Sequence, residues 1–140
     1  MSGISPPKVH KQIGVAVISN IQGKILIDRR KSEGEMGGLW EFPGGKIEPG
    51  ETVAECIERE IKEELDIEIA VGDRLTTITH DYKTFKVTLY VHLCQHLGGK
   101  PQPIECEEIH WVDASLMNQY QFPQANTQII NLLQQRGIDK

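Results

Sequence analysis

Glu60, Glu63 and Glu64 stand at i, i+3 and i+4, so on a helix of 3.6 residues per turn their carboxylates fall within an arc of about 100°. Sharing a face is unfavourable for them. Glu60 and Glu64 form a like-charge i, i+4 pair, which costs an isolated helix a few tenths of a kcal/mol. A divalent cation reverses that sign. Mg²⁺ prefers oxygen ligands and keeps several waters, so a few carboxylates completed by the phosphate oxygens of a bound molecule suit it, and Mn²⁺ can take its place. The plainer alternative is a solvated acidic face whose repulsion is softened by Arg59 and Lys62.

The flanking residues weigh for a site. Gly44, Gly45 and Gly50 permit a tight loop whose backbone approaches a ligand closely, and Glu51 adds a carboxylate just before the helix. Gly45, Glu51, Arg59-Glu60-Ile61, Glu63-Glu64 and Asp66-Ile67 follow the spacing G-x5-E-x7-REI-x-EE-x-DI. This pattern resembles the Nudix box, with Asp66 where the family usually has Gly. Asp tolerates the left-handed conformation that ends many helices, so the turn is expected to survive. At roughly one in fifteen per position, the six fixed Gly, Glu and Arg residues coincide by chance about once in ten million starting points.

The resemblance implies metal-dependent hydrolysis of a nucleoside diphosphate linked to a further group. Carried over residue by residue, Glu60, Glu63 and Glu64 match the metal-binding carboxylates, Arg59 orients a glutamate through a salt bridge, and Gly44 offers a backbone carbonyl to metal. The chemistry is consistent with that. Water attacking phosphorus needs spread negative charge neutralised and its own nucleophilicity raised, which bound metal ions supply while holding the geometry in line. A nearby carboxylate can take the proton. In MutT-like members a further glutamate on a loop before a late strand also contacts metal. Glu105, six residues before Trp111, occupies that place; Glu107 and Glu108 are near enough to exchange with it, and all three can also be read as a solvated loop.

Similarity to the MutT-type 8-oxo-dGTP hydrolases extends over about Lys11 to Gln135, most tellingly in Trp40-Glu41-Phe42-Pro43-Gly44-Gly45-Lys46 and Phe122-Pro123-Gln124-Ala125-Asn126. It implies that Asn126 hydrogen-bonds the oxidised guanine, as an amide carrying both donor and acceptor can; Asn126 can equally cap a helix beginning at Thr127. It further implies a nucleotide-binding set of Arg30, Phe42, Gly44, Gly45, Lys46 and Phe85, the two phenylalanines supplying apolar or stacking surface. MutT enzymes carry an arginine where this chain has Phe85, with Lys86 beside it, so the base-side pocket need not be the same. The activity implied is cleavage of a nucleoside triphosphate, foremost 8-oxo-dGTP, to monophosphate and pyrophosphate. Competing readings are a Nudix enzyme acting on CTP-like or other nucleoside diphosphate derivatives, and a non-catalytic nucleotide-sensing domain, which would be expected to have lost box glutamates.

These residues need elements to carry them. Gln12–Ser19 and Lys24–Asp28 are β-branched apolar runs separated by Asn20-Ile21-Gln22-Gly23, a β-hairpin pattern. Leu39–Phe42 reads as a strand stopped by Pro43-Gly44-Gly45. Thr52–Leu65 lacks Gly and Pro, begins with Thr52 and Glu55 in capping-box spacing, and places Val53, Cys56, Ile57, Ile61 and Leu65 on one helical stripe. Strand-like stretches follow at Ile67–Val71, Arg74–His80, Lys86–Gln95 and Glu107–Val112. A second amphipathic helix over Thr127–Gln135 should stop at Gly137. The expected class is α/β: a Nudix-type α/β/α sandwich with a mixed β-sheet and a loop-helix-loop catalytic motif.

At 140 residues the chain fits one domain, read as 11–137 behind a flexible tail of residues 1–10. A net charge of −5 argues against a nucleic acid polymer as partner, since phosphate neutralisation needs clustered Lys and Arg. A small phosphorylated ligand remains open to it where a metal carries the positive charge. No apolar run approaches the ~20 residues of a membrane span, and no signal-peptide pattern opens the chain, so the expected location is the cytoplasm. Cys56, Cys94 and Cys106 are odd in number and widely spaced, which fits reduced structural thiols. The expected assembly is a monomer or weak homodimer.

Overall fold

The computed structural model describes residues 8–34 and 36–138. Seven strands and two α-helices follow in the order β1 (Val9–Ser19), β2 (Ile25–Arg29), β3 (Trp40–Glu41), β4 (Gly44–Lys46), α1 (Val53–Leu65), β5 (Glu68–Asp81), β6 (Phe85–Gly98), β7 (Glu108–Val112) and α2 (Thr127–Ile138). Short 3₁₀ turns at Ala114–Gln119 and Gln124–Asn126 lead into α2. The sheet is mixed, ordered β3-β2-β1-β6-β5, with β4 added to β1 and β7 to β2. β1 and β6 run parallel in unbroken register from Val9↔Phe85 to Ser19↔Gln95. Among the described residues no helix is long and apolar enough to cross a membrane.

Alternation along the strands divides the core between the faces of the sheet. Ala16, Ile18 and Leu26 pack with Ile57, Ile61 and Leu65 of α1, whereas Val15, Val17, Ile25 and Ile27 pack with Ile129, Ile130 and Leu133 of α2. This is the expected α/β/α sandwich. The capping box is formed in full: Thr52 Oγ1 accepts from the Glu55 amide at 3.1 Å, and the Glu55 carboxylate accepts from the Thr52 amide at 2.8 Å. Asp66 closes α1 in the left-handed conformation, φ 55° and ψ 42°, with its amide donating to the Lys62 carbonyl, so the turn survives without glycine.

Four local expectations are corrected. Val9 and His10 are strand and not tail, because each pairs with β6 and the His10 ring hydrogen-bonds Thr88 Oγ1 at 2.7 Å; residues 1–7 lie outside the described residues. Gly44 and Gly45 do not end the sheet but form β4, antiparallel to β1 with Val15 opposite Gly44. Their missing side chains permit it, since a Cβ on Gly44 would fall on the Gly14 carbonyl oxygen. The two strands read at Ile67–Val71 and Arg74–His80 are one strand, β5, which absorbs Gly72 and Asp73 through register shifts against β6. Finally, α2 runs on through Gly137 to Ile138; a single Gly near a helix end costs only about 1 kcal/mol relative to Ala.

Candidate active site

The loop preceding α1 is held by its own polar groups. Glu51 accepts from the Glu48 amide at 2.9 Å, its amide donates to the Glu48 carbonyl at 3.0 Å, and Gly50 sits at φ +80°, a conformation glycine adopts freely. Arg59 then reaches back from α1. Its Nε and Nη2 donate to the two oxygens of Glu51 at 2.6 and 2.9 Å, Nη2 also to the Lys46 carbonyl at 3.1 Å, and Nη1 to Glu60 at 3.2 Å and Glu63 at 3.0 Å. This planar donor set matches what carboxylates accept. The Arg59 guanidinium holds the Glu51 carboxyl down to about 2, and the hydrogen bond to Glu51, with those to its neighbours, holds Arg59 above its ordinary value. One arginine thus fastens three box glutamates to the loop.

Glu60 and Glu64 face inward. A Cβ on Gly45 would fall on the Glu60 carboxylate, so only glycine leaves that carboxylate its place. Burial pushes Glu60 up, opposed by Arg59. Glu64 is raised to about 9, by burial first and then by the negative charges of Glu41, Glu60 and Glu105; its Oε1 is buried without a hydrogen-bond partner. Behind it, Asp28 of β2 stands opposite Glu41 of β3, only 1% exposed, with neither carboxylate oxygen partnered. Burial, Glu41 and Glu64 all raise Asp28 well above the usual carboxylate range. Glu41 pairs with Arg30 at 2.9 Å.

Glu105 arrives by backbone bonds from a distant segment. The Gln102 and Ile104 amides donate to the Leu65 and Glu64 carbonyls at 2.9 and 3.3 Å, satisfying orphan carbonyls at the end of α1. Of the three candidates on this loop only Glu105 lines the cleft. The Glu107 amide is engaged by the Arg29 carbonyl at 2.8 Å, and the Glu108 carboxylate by Arg29 at 3.3 Å and His110 at 3.0 Å.

The cleft has a volume of about 600 Å³. From Glu60, Glu64 and Glu105 it passes Gly44 and Gly45, crosses Val15, Ile13 and Leu89, and ends among Lys11, Phe85, Tyr82, Ala125 and Asn126. The far end is built from three separated segments. Tyr82 Oη accepts from the Ala125 amide at 2.9 Å, the Tyr82 ring packs on Phe85 at 4.9 Å, and Lys11 Nζ stands 4.2 Å from the Phe85 ring centre. Asn126 is buried inside a 3₁₀ turn continuous with α2, where an N-cap side chain has no role; its backbone amide donates to the Pro123 carbonyl at 3.0 Å, and its side-chain amide makes no hydrogen bond among the described residues.

A sequence model of the NUDIX domain matches residues 14–132. The chain belongs to the Nudix family. It is 33% identical over 119 residues to the 8-oxo-dGTP diphosphatase of Escherichia coli K12, covering 85% of this chain and 92% of that protein. Against the CTP pyrophosphohydrolase of the same organism it is 31% identical over 116 residues, covering 83% and 86%. The crystal structure of a MutT protein from Methanosarcina mazei superposes with a TM-score of 0.84 at 24% identity over 95% of this chain and 99% of that one, a likeness of fold.

Of the Nudix residues read from sequence, Arg30, Phe42, Gly44, Gly45, Lys46, Glu60, Glu64, Phe85, Glu105 and Asn126 line one cleft. Glu63 and Arg59 do not: Glu63 is 51% exposed and turned onto Arg59. Phe42 and Phe85 offer little stacking surface, since both are buried, Phe42 against Phe122 at 5.2 Å. Sequence reasoning missed Lys11, Glu41, Tyr82 and Asp28. Asp28 had a signal, a charged residue inside the buried run of β2. The other three gave none, because their role depends on which strands become neighbours.

The donor set fits a divalent cation. Glu64 with its buried orphan oxygen, the half-buried Glu60 and the exposed Glu105 supply hard oxygens whose crowded negative charge Arg59 offsets only in part. Among the described residues no three acidic, His or Cys side chains converge into a closed cage.

Proposed function

We propose that this Nudix protein hydrolyses a nucleoside triphosphate to nucleoside monophosphate and pyrophosphate in the cytoplasm, with 8-oxo-dGTP as its substrate and Mg²⁺ as its metal. One observation carries the reading: a single cleft joins the Glu60, Glu64 and Glu105 carboxylates, with an unpartnered buried oxygen on Glu64, to the Asn126 side chain, and a nucleotide with its cation answers both ends. Glu60, Glu64, Glu105 and the Gly44 carbonyl would hold the metal, with Glu63 released from Arg59 to join them. When bound, the metal offsets the phosphate charge and makes a water more nucleophilic.

The chain's own residues do the rest. Arg59 fixes the loop and orients Glu60. The glycine backbones at 44 and 45 allow a phosphate to approach the sheet, and Arg30 and Lys46 add positive charge along its path. A carboxylate of the Glu60, Glu64 and Glu105 set takes the proton of the attacking water. Asn126 pairs with the base edge, its donor and acceptor matching a purine's alternation of groups.

The similarity to the CTP pyrophosphohydrolase is almost as high as that to the 8-oxo-dGTP diphosphatase, and this favours a second reading with a pyrimidine triphosphate as substrate. The specificity constants for 8-oxo-dGTP, dGTP, CTP and dATP, measured with Mg²⁺ and with EDTA and with products separated by chromatography, decide between them. The expected result is preference for 8-oxo-dGTP, abolished by EDTA. Preference for CTP overturns the substrate, and turnover unaffected by EDTA overturns the metal.

A further inference from the structure

Tyr82 lies in the turn between β5 and β6 and is held by backbone and ring together. Its amide donates to the Phe85 carbonyl at 2.8 Å, its carbonyl accepts from Lys8 Nζ at 2.7 Å, and its ring contacts those of His80 at 4.5 Å and Phe85 at 4.9 Å. A tyrosine fixed in this way places its hydroxyl within narrow limits. That hydroxyl accepts from the Ala125 amide at 2.9 Å, from a segment 43 positions further along the chain.

The Ala125 amide needs such a partner. It belongs to the start of the 3₁₀ turn Gln124–Asn126, where the first amides have no carbonyl one turn back to bond, and Pro123 at the cap position brings no side-chain acceptor. Ala125 is only 3% exposed, and a buried donor without a partner is costly. Tyr82 therefore caps this turn from another part of the sheet. The next residue is Asn126, whose side chain lines the cleft and makes no hydrogen bond among the described residues. With no side-chain bond of its own, its placement follows the backbone of the turn, and Tyr82 anchors that backbone.

We propose that Tyr82 is a positioning residue for base recognition: its hydroxyl, bound to the Ala125 amide, sets the 3₁₀ turn so that Asn126 meets the base edge. This rests on the reading of Asn126 as the group that pairs with oxidised guanine.

Binding of 8-oxo-dGMP and dGMP, measured by calorimetry in EDTA, tests it without metal or turnover. Tyr82→Phe keeps the ring and removes the acceptor. Its affinity for 8-oxo-dGMP should fall about tenfold, the usual worth of leaving a buried donor unpaired, while affinity for dGMP changes less than about twofold, and the Ala125 amide should exchange faster with solvent by NMR. In an Asn126→Ala background the same substitution should change neither affinity further, since the group it positions is gone. Adding Pro123→Ser to Tyr82→Phe supplies a cap acceptor within the turn and should restore part of the preference. Unchanged preference in Tyr82→Phe overturns the proposal, as does equal weakening of both ligands, which would mark plain support of the fold. A loss that persists in the Asn126→Ala background also overturns it, because the hydroxyl would then act on the base without Asn126. A wild type that does not prefer 8-oxo-dGMP, or that keeps its preference in Asn126→Ala, sinks the base-recognition reading and the proposal with it; preference lost in Asn126→Ala but kept in Tyr82→Phe sinks Tyr82 alone.

Discussion

The two ends of the cleft are made differently. The acidic end comes largely from one stretch, Gly44 to Leu65, whose parts are locked by the capping box, the left-handed Asp66 and the four-way contacts of Arg59. Its polar groups are crowded and under-satisfied: Glu64 and Asp28 hold buried oxygens without donors. The far end brings together Lys11, Tyr82, Phe85 and Asn126 from three separated stretches, with ring contacts and the Tyr82–Ala125 hydrogen bond among the ties. Strain by charge at one end and assembly by packing at the other teach that chemistry and selectivity are separable here, so substitutions should affect one without the other.

The widest separation is expected at Glu64. Glu64→Gln should lower turnover on the order of 10³-fold for every nucleotide, since the charge proposed to hold the metal is lost, yet it should raise the melting temperature in EDTA. The folded-state value near 9 lies above the ordinary 4.5, so wild type loses stability as pH rises from about 5 towards 9, and the amide does not. A melting series across that range checks the sign; parallel curves for the two proteins would refute it.

Asn126→Ala should do the opposite. KM for 8-oxo-dGTP is expected to rise about tenfold to a hundredfold more than KM for dGTP, the range set by losing one buried hydrogen-bonding group, with kcat nearly preserved. Equal effects on both nucleotides would make Asn126 a structural residue.

Asp28→Asn separates charge from shape within the acidic end. Because the folded protein raises Asp28, its ionisation opposes folding increasingly above the unfolded carboxyl's range near 4. The variant should melt higher than wild type at pH 8 in EDTA, and the gap should close by pH 5. The smallest effect is expected at Asp66→Gly. Removing the left-handed strain gains at most about 1 kcal/mol, partly offset by losing the exposed Lys62 ion pair at 3.2 Å; denaturant unfolding should show a slight stabilisation and assays no change in specificity.

How much was legible in the sequence follows the same division. Helix α1, its cap and its carboxylate face were readable because periodicity, capping and the clustering of charge on one helix face all act within a few residues. The hairpin and β6 were readable as apolar runs. Strand β4 was not, since Gly44 and Gly45 look like breakers until β1, with Gly14 at the contact, is laid against them. The beginning of β1 was hidden for a related reason: Val9-His10-Lys11 has no alternation of its own and is strand only because β6 accepts it. Glu105 could be named but not separated from Glu107 and Glu108, because its position is set by amide bonds to the end of α1.

The parallel pairing of β1 with β6 carries a kinetic consequence. Eleven registered residues in the middle of the sheet meet partners 76 positions further along the chain, and contacts of such separation form slowly because a long loop must close before they contribute. During synthesis the box helix therefore exists well before the wall it works against. Neither end of the cleft is complete until β6 has been laid down, so a shorter nascent chain carries the entire Nudix motif and no site.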